Sequence, residues 1–300
     1  MLEELKKVQN QIKTFIQECD DKKSLELLDK LATGKMLRSK LILKIAGVTQ
    51  ESVKLCAIVE MIHAASLLHD DVIDEANTRR GKPSVNALYN DKTSIMFGDI
   101  LYSKAFTQLT LMDKEIAHTV SRAVTLLSIG EMMDMDLTQS FNSSYDKYND
   151  MIYKKTASLI EAASKAAAIL VGKDENKYAI YGKNLGLAFQ MIDDILDITQ
   201  DSNTLGKPAM FDFVEGKVTI PYLLLYERCV DKSKLESLYK KELSNDEATW
   251  IKEQMKTTNA LDDSIKLAKD LGNEAIDIIK DEKNSQSLIL IMKAMIEREF

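Results

Sequence analysis

Residues 51–74 read ESVKLCAIVEMIHAASLLHDDVID. Apolar residues recur over 51–73 at helical spacing, so a long helix is expected there. It runs into Asp70-Asp71-Val72-Ile73-Asp74, and a second copy of that acidic pattern, Asp193-Asp194-Ile195-Leu196-Asp197, ends another helical stretch at 175–199. On a helix the first and last Asp of each copy lie one turn apart on one face. Carboxylates in apolar helices are costly without a compensating charge. Two such clusters facing each other across a cavity would hold hard divalent cations through oxygen. Mg²⁺ suits such a site when a substrate phosphate completes the shell.

Outward from these clusters, helical periodicity covers most of the chain. It is expected over 2–19, 24–32, 37–47, 92–112, 114–139, 147–171 and 218–230, with short helices over 231–300. Two stretches break it. Residues 75–84 contain Asn77, Gly81 and Pro83, and residues 200–217 contain Gly206, Pro208 and Gly216. Each break follows an aspartate cluster. No composition shift or low-complexity linker marks a boundary, so residues 1–300 are read as one all-α domain.

The bulk composition agrees. Among 300 residues, 45% are hydrophobic, enough for a sizeable core, and only 3 Pro and 11 Gly occur, which suits long helices. The net charge of −7 argues against a nucleic-acid partner. Cys19, Cys56 and Cys229 are far apart and form no metal-binding spacing, as expected of reduced thiols in a cytoplasmic protein. Met1-Leu2-Glu3-Glu4-Leu5-Lys6-Lys7 lacks the apolar core of a signal peptide, and no apolar run is read as a transmembrane segment. The 14 Met residues read as core filler.

Cations gather around the carboxylates. Arg79 and Arg80 follow the first cluster, and Lys35 and Arg38 open the helix at 37–47. His63 lies two turns before Asp70. Lys155-Thr156 interrupts a helix of small and apolar residues, Gln190 precedes Asp193 by one turn, and Lys207 and Lys217 each follow a Gly. Carboxylates among fixed cations suit a polyanion bridged by metal, a diphosphate above all, with Arg supplying bidentate contacts. Taken singly, these residues have ordinary readings: one Asp cluster as a solvated face, His63 as a core histidine, Lys155, Lys207 and Lys217 as surface lysines. Their joint arrangement is what favours a site.

The arrangement resembles the trans-isoprenyl diphosphate synthases. The matching elements are Gly34 to Arg38, His69 to Asp74 with Arg79-Arg80-Gly81, Phe189 to Asp197, Gly206-Lys207-Pro208, and Glu215 to Pro221. The resemblance implies an all-α helical bundle around a deep central cavity. It assigns Lys35, Arg38, His63 and Arg80 to isopentenyl diphosphate. Arg79, Lys155, Thr156, Gln190, Lys207 and Lys217 go to an allylic diphosphate. Asp70, Asp74, Asp193 and Asp197 are the implied Mg²⁺ ligands, and Asp71, Asp194, Lys155 and Lys207 join them in the catalytic set. The family is commonly homodimeric, and 92–112 is the expected interface. Three positions depart from the family pattern. Met36 stands where Arg is frequent, Ser39 where Pro is frequent, and Asp134, after Gly130-Glu131, where Gln is usual.

The implied reaction ionises the allylic diphosphate and adds isopentenyl diphosphate to the resulting cation in a dry cavity. No side-chain nucleophile is needed, and no convincing Ser/His/Asp or Cys/His set is present. Ala65 and Ser66 lie about one turn before Asp70, where the family's bulky aromatics stop chain growth early. Both are small here, so a long product is expected, octaprenyl diphosphate first, with geranylgeranyl or farnesyl diphosphate as the alternative. Met61, Ile62, Tyr102 and Phe106 are the next candidate floors. A terpene cyclase would not need the second diphosphate site, and a non-catalytic partner subunit would be expected to lose Asp from one cluster.

Overall fold

The computed structural model describes residues 1–32, 34–200 and 210–297. The described residues are predominantly helical, as the periodicity predicts. The helices α1 (Leu2–Gln17), α2 (Lys22–Leu28), α3 (Leu37–Ala46) and α4 (Gln50–Ile73) come first. A two-stranded antiparallel hairpin follows, β1 (Thr78–Arg79) with β2 (Lys82–Pro83), inside the first predicted break. Then come α5 (Val85–Leu88), α6 (Asp91–Leu109), α7 (Lys114–Leu137), α8 (Tyr145–Ile152), α9 (Ser158–Leu170) and α10 (Glu175–Thr199). The remainder comprises α11 (Phe211–Val214), α12 (Ile220–Arg228), α13 (Lys232–Leu238), α14 (Asn245–Thr257), α15 (Ala260–Ile279) and α16 (Gln286–Ile296).

Two departures from the sequence expectation stand out. The helix expected over 147–171 is interrupted by a π-helical segment, Tyr153–Ala157, between α8 and α9. The final stretch is not uniformly short-helical, because α15 runs for 20 residues with a strongly amphipathic pattern.

The chain forms two compact units. One comprises Met1–Thr125 and Glu161–Ala179; the other comprises Leu126–Ile160 and Ile180–Phe300. In the first, α4 packs against α1, α3 and α6. It starts at a reciprocal cap in which Ser52 N–H donates to Thr49 Oγ1 (3.1 Å) and Thr49 N–H donates to Ser52 Oγ (2.9 Å). Leu55, Ile58, Val59, Ile62, Ala65 and Leu68 form its buried stripe. Ser94 Oγ on α6 donates to the Leu68 carbonyl (2.9 Å), binding the two helices. By length and composition α4 could span a bilayer, which the sequence reading did not anticipate. However, 61% of its apolar window is buried inside the fold, as befits a core helix.

In the second unit the core gathers Ile192, Ile195, Ile220, Leu225, Ile251 and Met255, with Phe213 stacked on Tyr222 at 4.3 Å. Glycines on α7 and α10 admit the π-helical segment closely. A Cβ on Gly130 would lie within 2.7 Å of the Lys155 Cα, and one on Gly186 would strike Ala157. The helices thereby seat Tyr153–Ala157 at backbone contact.

Candidate active site

In the first unit the acidic pattern closes α4. Asp70 is half-buried and Asp74 is exposed at the helix end, where its N–H donates to the Asp70 carbonyl at 2.8 Å. Asp71 points the other way. It is buried and accepts from Arg79 Nε at 2.5 Å. Burial raises the Asp71 carboxyl above its ordinary range, and the Arg79 charge opposes that rise. Asp71 therefore fixes Arg79, whereas Asp70 and Asp74 are left as the outward pair.

The residues expected to bind isopentenyl diphosphate lie in this same unit. Arg80 adopts a left-handed conformation (φ 53°) and donates from Nη1 to the Ala32 carbonyl at 3.2 Å. Gly34 leaves the room for it, since a Cβ there would meet the Arg80 guanidinium. Burial pulls Arg38 down to about 10; Glu60 opposes this and Arg80 adds to it. The Arg38 Nε is buried without a hydrogen-bond partner among the described residues. His63 is pushed well below the ordinary histidine range by burial and by Arg38, Arg80 and Arg79, so it is neutral at pH 7. Lys35 is exposed just before α3. Arg79, expected with the allylic group, lies in this unit with Arg38, Arg80 and His63.

Glu60 was not singled out by sequence, although its position three residues before His63 on α4 carried the signal. It accepts from Ser39 N–H (3.2 Å) and Ser39 Oγ (2.7 Å). That explains the departure at Ser39: a proline could offer neither donor.

The second unit holds a cavity of about 150 Å³. Its lining includes Asp134, Lys155, Thr156, Gln190, Asp194 and Lys217. The π-helical segment presents Lys155 and Thr156 side by side, a geometry often found at functional positions. Thr156 Oγ1 donates to Gln190 Oε1 (2.9 Å), Gln190 Nε2 donates to Asp194 Oδ1 (2.9 Å), and Tyr148 OH donates to Asp194 Oδ2 (2.5 Å). Burial pushes Asp194 up to about 8; the Asp212 charge adds to this, while Tyr148 and Gln190 oppose it. Tyr148 has no sequence signal, because its partner lies 46 residues away. Lys155 Nζ donates to Asp134 Oδ2 (2.6 Å) and contacts Glu131 Oε2 (2.9 Å). Burial would lower the Lys155 ammonium, but Asp134 and then Glu131 outweigh it and keep it charged. Asp134 thus shares a single ammonium with Glu131. Lys217 Nζ pairs with Glu215 at 3.1 Å.

Asp193 is half-buried and Asp197 is buried, with Asp197 Oδ2 accepting from Asp212 N–H at 3.2 Å. Lys207 lies outside the described residues. Among the described residues no three His, Cys, Asp or Glu side chains converge closely enough to cage a metal. The donors at both aspartate patterns are hard carboxylate oxygens. Magnesium commonly takes one or two of these plus substrate phosphate and water, so the donor set fits an ion that arrives with a diphosphate.

Comparison with known proteins identifies the family. The family model for polyprenyl synthetase matches residues 22–256. The octaprenyl pyrophosphate synthase of Helicobacter pylori superposes with a TM-score of 0.93 at 44% identity, covering 99% of this chain and 100% of that one. The decaprenyl diphosphate synthase of Rhodobacter capsulatus gives a TM-score of 0.90 at 26% identity, covering 99% and 96%. A short chain isoprenyl diphosphate synthase of Methanothermobacter thermautotrophicus is 34% identical over 290 residues, covering 89% of this chain and 87% of its own length. The chain belongs to the polyprenyl synthetase family and is a trans-prenyltransferase.

Proposed function

We propose that the protein condenses isopentenyl diphosphate with an allylic diphosphate to give a long-chain all-trans polyprenyl diphosphate, octaprenyl first. The observation that carries this reading is the second-unit cavity. It is lined by Lys155, Thr156, Gln190 and Lys217, together with Asp194 of the second aspartate pattern. Such a set suits the diphosphate of the allylic substrate, and Arg38, Arg80 and neutral His63 suit that of isopentenyl diphosphate.

Asp70 and Asp74, and likewise Asp193 and Asp197, would hold magnesium. When bound, the ion supplies charge neutralisation that makes the diphosphate a better leaving group. Lys155 and Lys217 stabilise the negative charge left as the C–O bond breaks. Arg38 and Arg80 orient isopentenyl diphosphate so that its double bond attacks the allylic cation. The proton lost afterwards leaves with the released pyrophosphate.

Length is read from Ala65, fully buried, and Ser66, half-buried. Neither is bulky enough to block a growing tail. The name of the Helicobacter pylori relative supports the octaprenyl reading. One observation favours a shorter product, geranylgeranyl diphosphate. Tyr102 lies 5.6 Å from His69 and stacks on Phe106 at 6.3 Å, a ladder of rings that could serve as a floor. Ile95, Met96 and Phe106 are exposed on α6, which supports a homodimer through that helix. Three free thiols support a reducing, cytoplasmic setting.

Purified protein is incubated with Mg²⁺, radiolabelled isopentenyl diphosphate and an allylic primer, and the products are separated by chromatography. Linear octaprenyl product, abolished by EDTA, is expected. A cyclic hydrocarbon or no product would sink the proposal.

A further inference from the structure

Lys155 is the cation most enclosed by carboxylates in the second-unit cavity. Asp134 and Glu131 stand one turn apart on α7, with side chains only 10% and 12% exposed, and both grip the same ammonium. Two negative charges face one positive charge, so this corner carries a surplus of one negative charge. Gly130, one residue before Glu131, fixes the distance, because it seats the Lys155 backbone directly against α7.

An anion that approaches Lys155 therefore meets a cation already spoken for. A bare diphosphate must displace Asp134 while being repelled by it. A diphosphate that carries a divalent cation brings its own countercharge, so the carboxylates repel it far less than they repel the bare anion. We propose that Asp134, with Glu131, acts through Lys155 as a positioning pair that admits metal-loaded diphosphate and rejects the metal-free anion. This deepens, and rests on, the reading of the cavity as the allylic diphosphate site.

The test is calorimetric binding of inorganic pyrophosphate to the full-chain protein, once with EDTA and once with excess Mg²⁺. Wild-type protein is expected to bind far more tightly with Mg²⁺. Removing one charge at ion-pair range in a partly screened cavity shifts affinity by about tenfold. In Asp134→Asn the metal-free affinity therefore rises about tenfold, while the Mg²⁺-loaded affinity changes less than about threefold by the same argument. Glu131→Gln shifts in the same direction, and Asp134→Glu restores the wild-type ratio. Circular dichroism melting checks that each variant is folded, and the partner carboxylate left in each still holds Lys155. An unchanged ratio in both Asn and Gln variants overturns the proposal. So does a loss of Mg²⁺-loaded affinity without a metal-free gain, which would make Asp134 a direct ligand or a purely structural residue. If wild-type protein binds pyrophosphate under neither condition, the cavity is not a diphosphate site, and the failure belongs to the proposed function.

Discussion

Gly130→Ala probes how the site is built. A methyl group is usually welcome in a helix, where Ala is favoured over Gly by about 1 kcal/mol. At this position the new Cβ would come within 2.7 Å of both the Lys154 carbonyl carbon and the Lys155 Cα. The obstacle is backbone, so no rotamer change relieves it. Overpacking of this kind costs about 1–3 kcal/mol. Set against the gain in helix propensity, the net loss is up to about 2 kcal/mol, which lowers the melting temperature by up to about 3 °C in a chain of this size. The larger effect is geometric. The π-helical segment must shift by several tenths of an ångström, and it carries Lys155 and Thr156 together. Misplacing a positioning group by about 1 Å can cost on the order of 100-fold in rate, so a loss of about tenfold or more in kcat/KM for the allylic substrate is expected. KM for isopentenyl diphosphate should move much less. Steady-state kinetics with each substrate varied in turn, together with a thermal melt, measures both. A variant with wild-type melting and wild-type allylic kinetics would refute the idea that Gly130 seats the π-helical segment.

Asp71→Asn should weaken the anchor of Arg79 and cost about 2 kcal/mol, the scale of a hydrogen bond to a charged group; denaturant midpoints and diphosphate KM values would register it. Thr156→Val breaks the first link of the Thr156–Gln190–Asp194–Tyr148 chain and should cost about 1 kcal/mol with a raised allylic KM, while Thr156→Ser restores both. His63 gives a pH prediction. Its folded pKa lies well below 6.5, with Arg38, Arg79 and Arg80 around it, so the unfolded chain takes up this proton first as pH falls. The native state is then penalised progressively below about pH 6.5, by up to about 1.4 kcal/mol per pH unit. His63→Gln should flatten that part of the stability curve between pH 6.5 and 5, and identical slopes for the two proteins would count against a neutral buried His63. Ser66→Phe should shorten the product seen by chromatography; an unchanged length would remove Ser66 from the wall.

Much of the molecule was legible in its residues. Helical periodicity is a local property, repeated every three or four positions, so the all-α class could be read directly, as could α4, α10 and the break that follows the first aspartate pattern. The aspartate pairs were legible for the same reason, since carboxylates one turn apart in an apolar helix stand out from their own neighbours. Packing decided what lay beyond that range. Asp70 and Asp71 are adjacent and chemically identical, yet one is half-buried while the other is turned inward onto Arg79. Adjacent positions on a helix point about 100° apart, and the hairpin supplies the Arg79 that Asp71 meets. Ser39 looked like a missing proline until Glu60, 21 residues away, supplied its partner. Asp134 departs from the family's Gln with no local reason, and its partner Lys155 lies across the same 21-residue separation. The π-helical turn that brings Lys155 there has no local signature, because it forms where glycines on two other helices let the backbone come close. Short-range spacing sets which segments coil and which groups they carry; long-range contact, governed by side-chain volume and the cost of leaving a buried charge unpaired, sets what those groups touch.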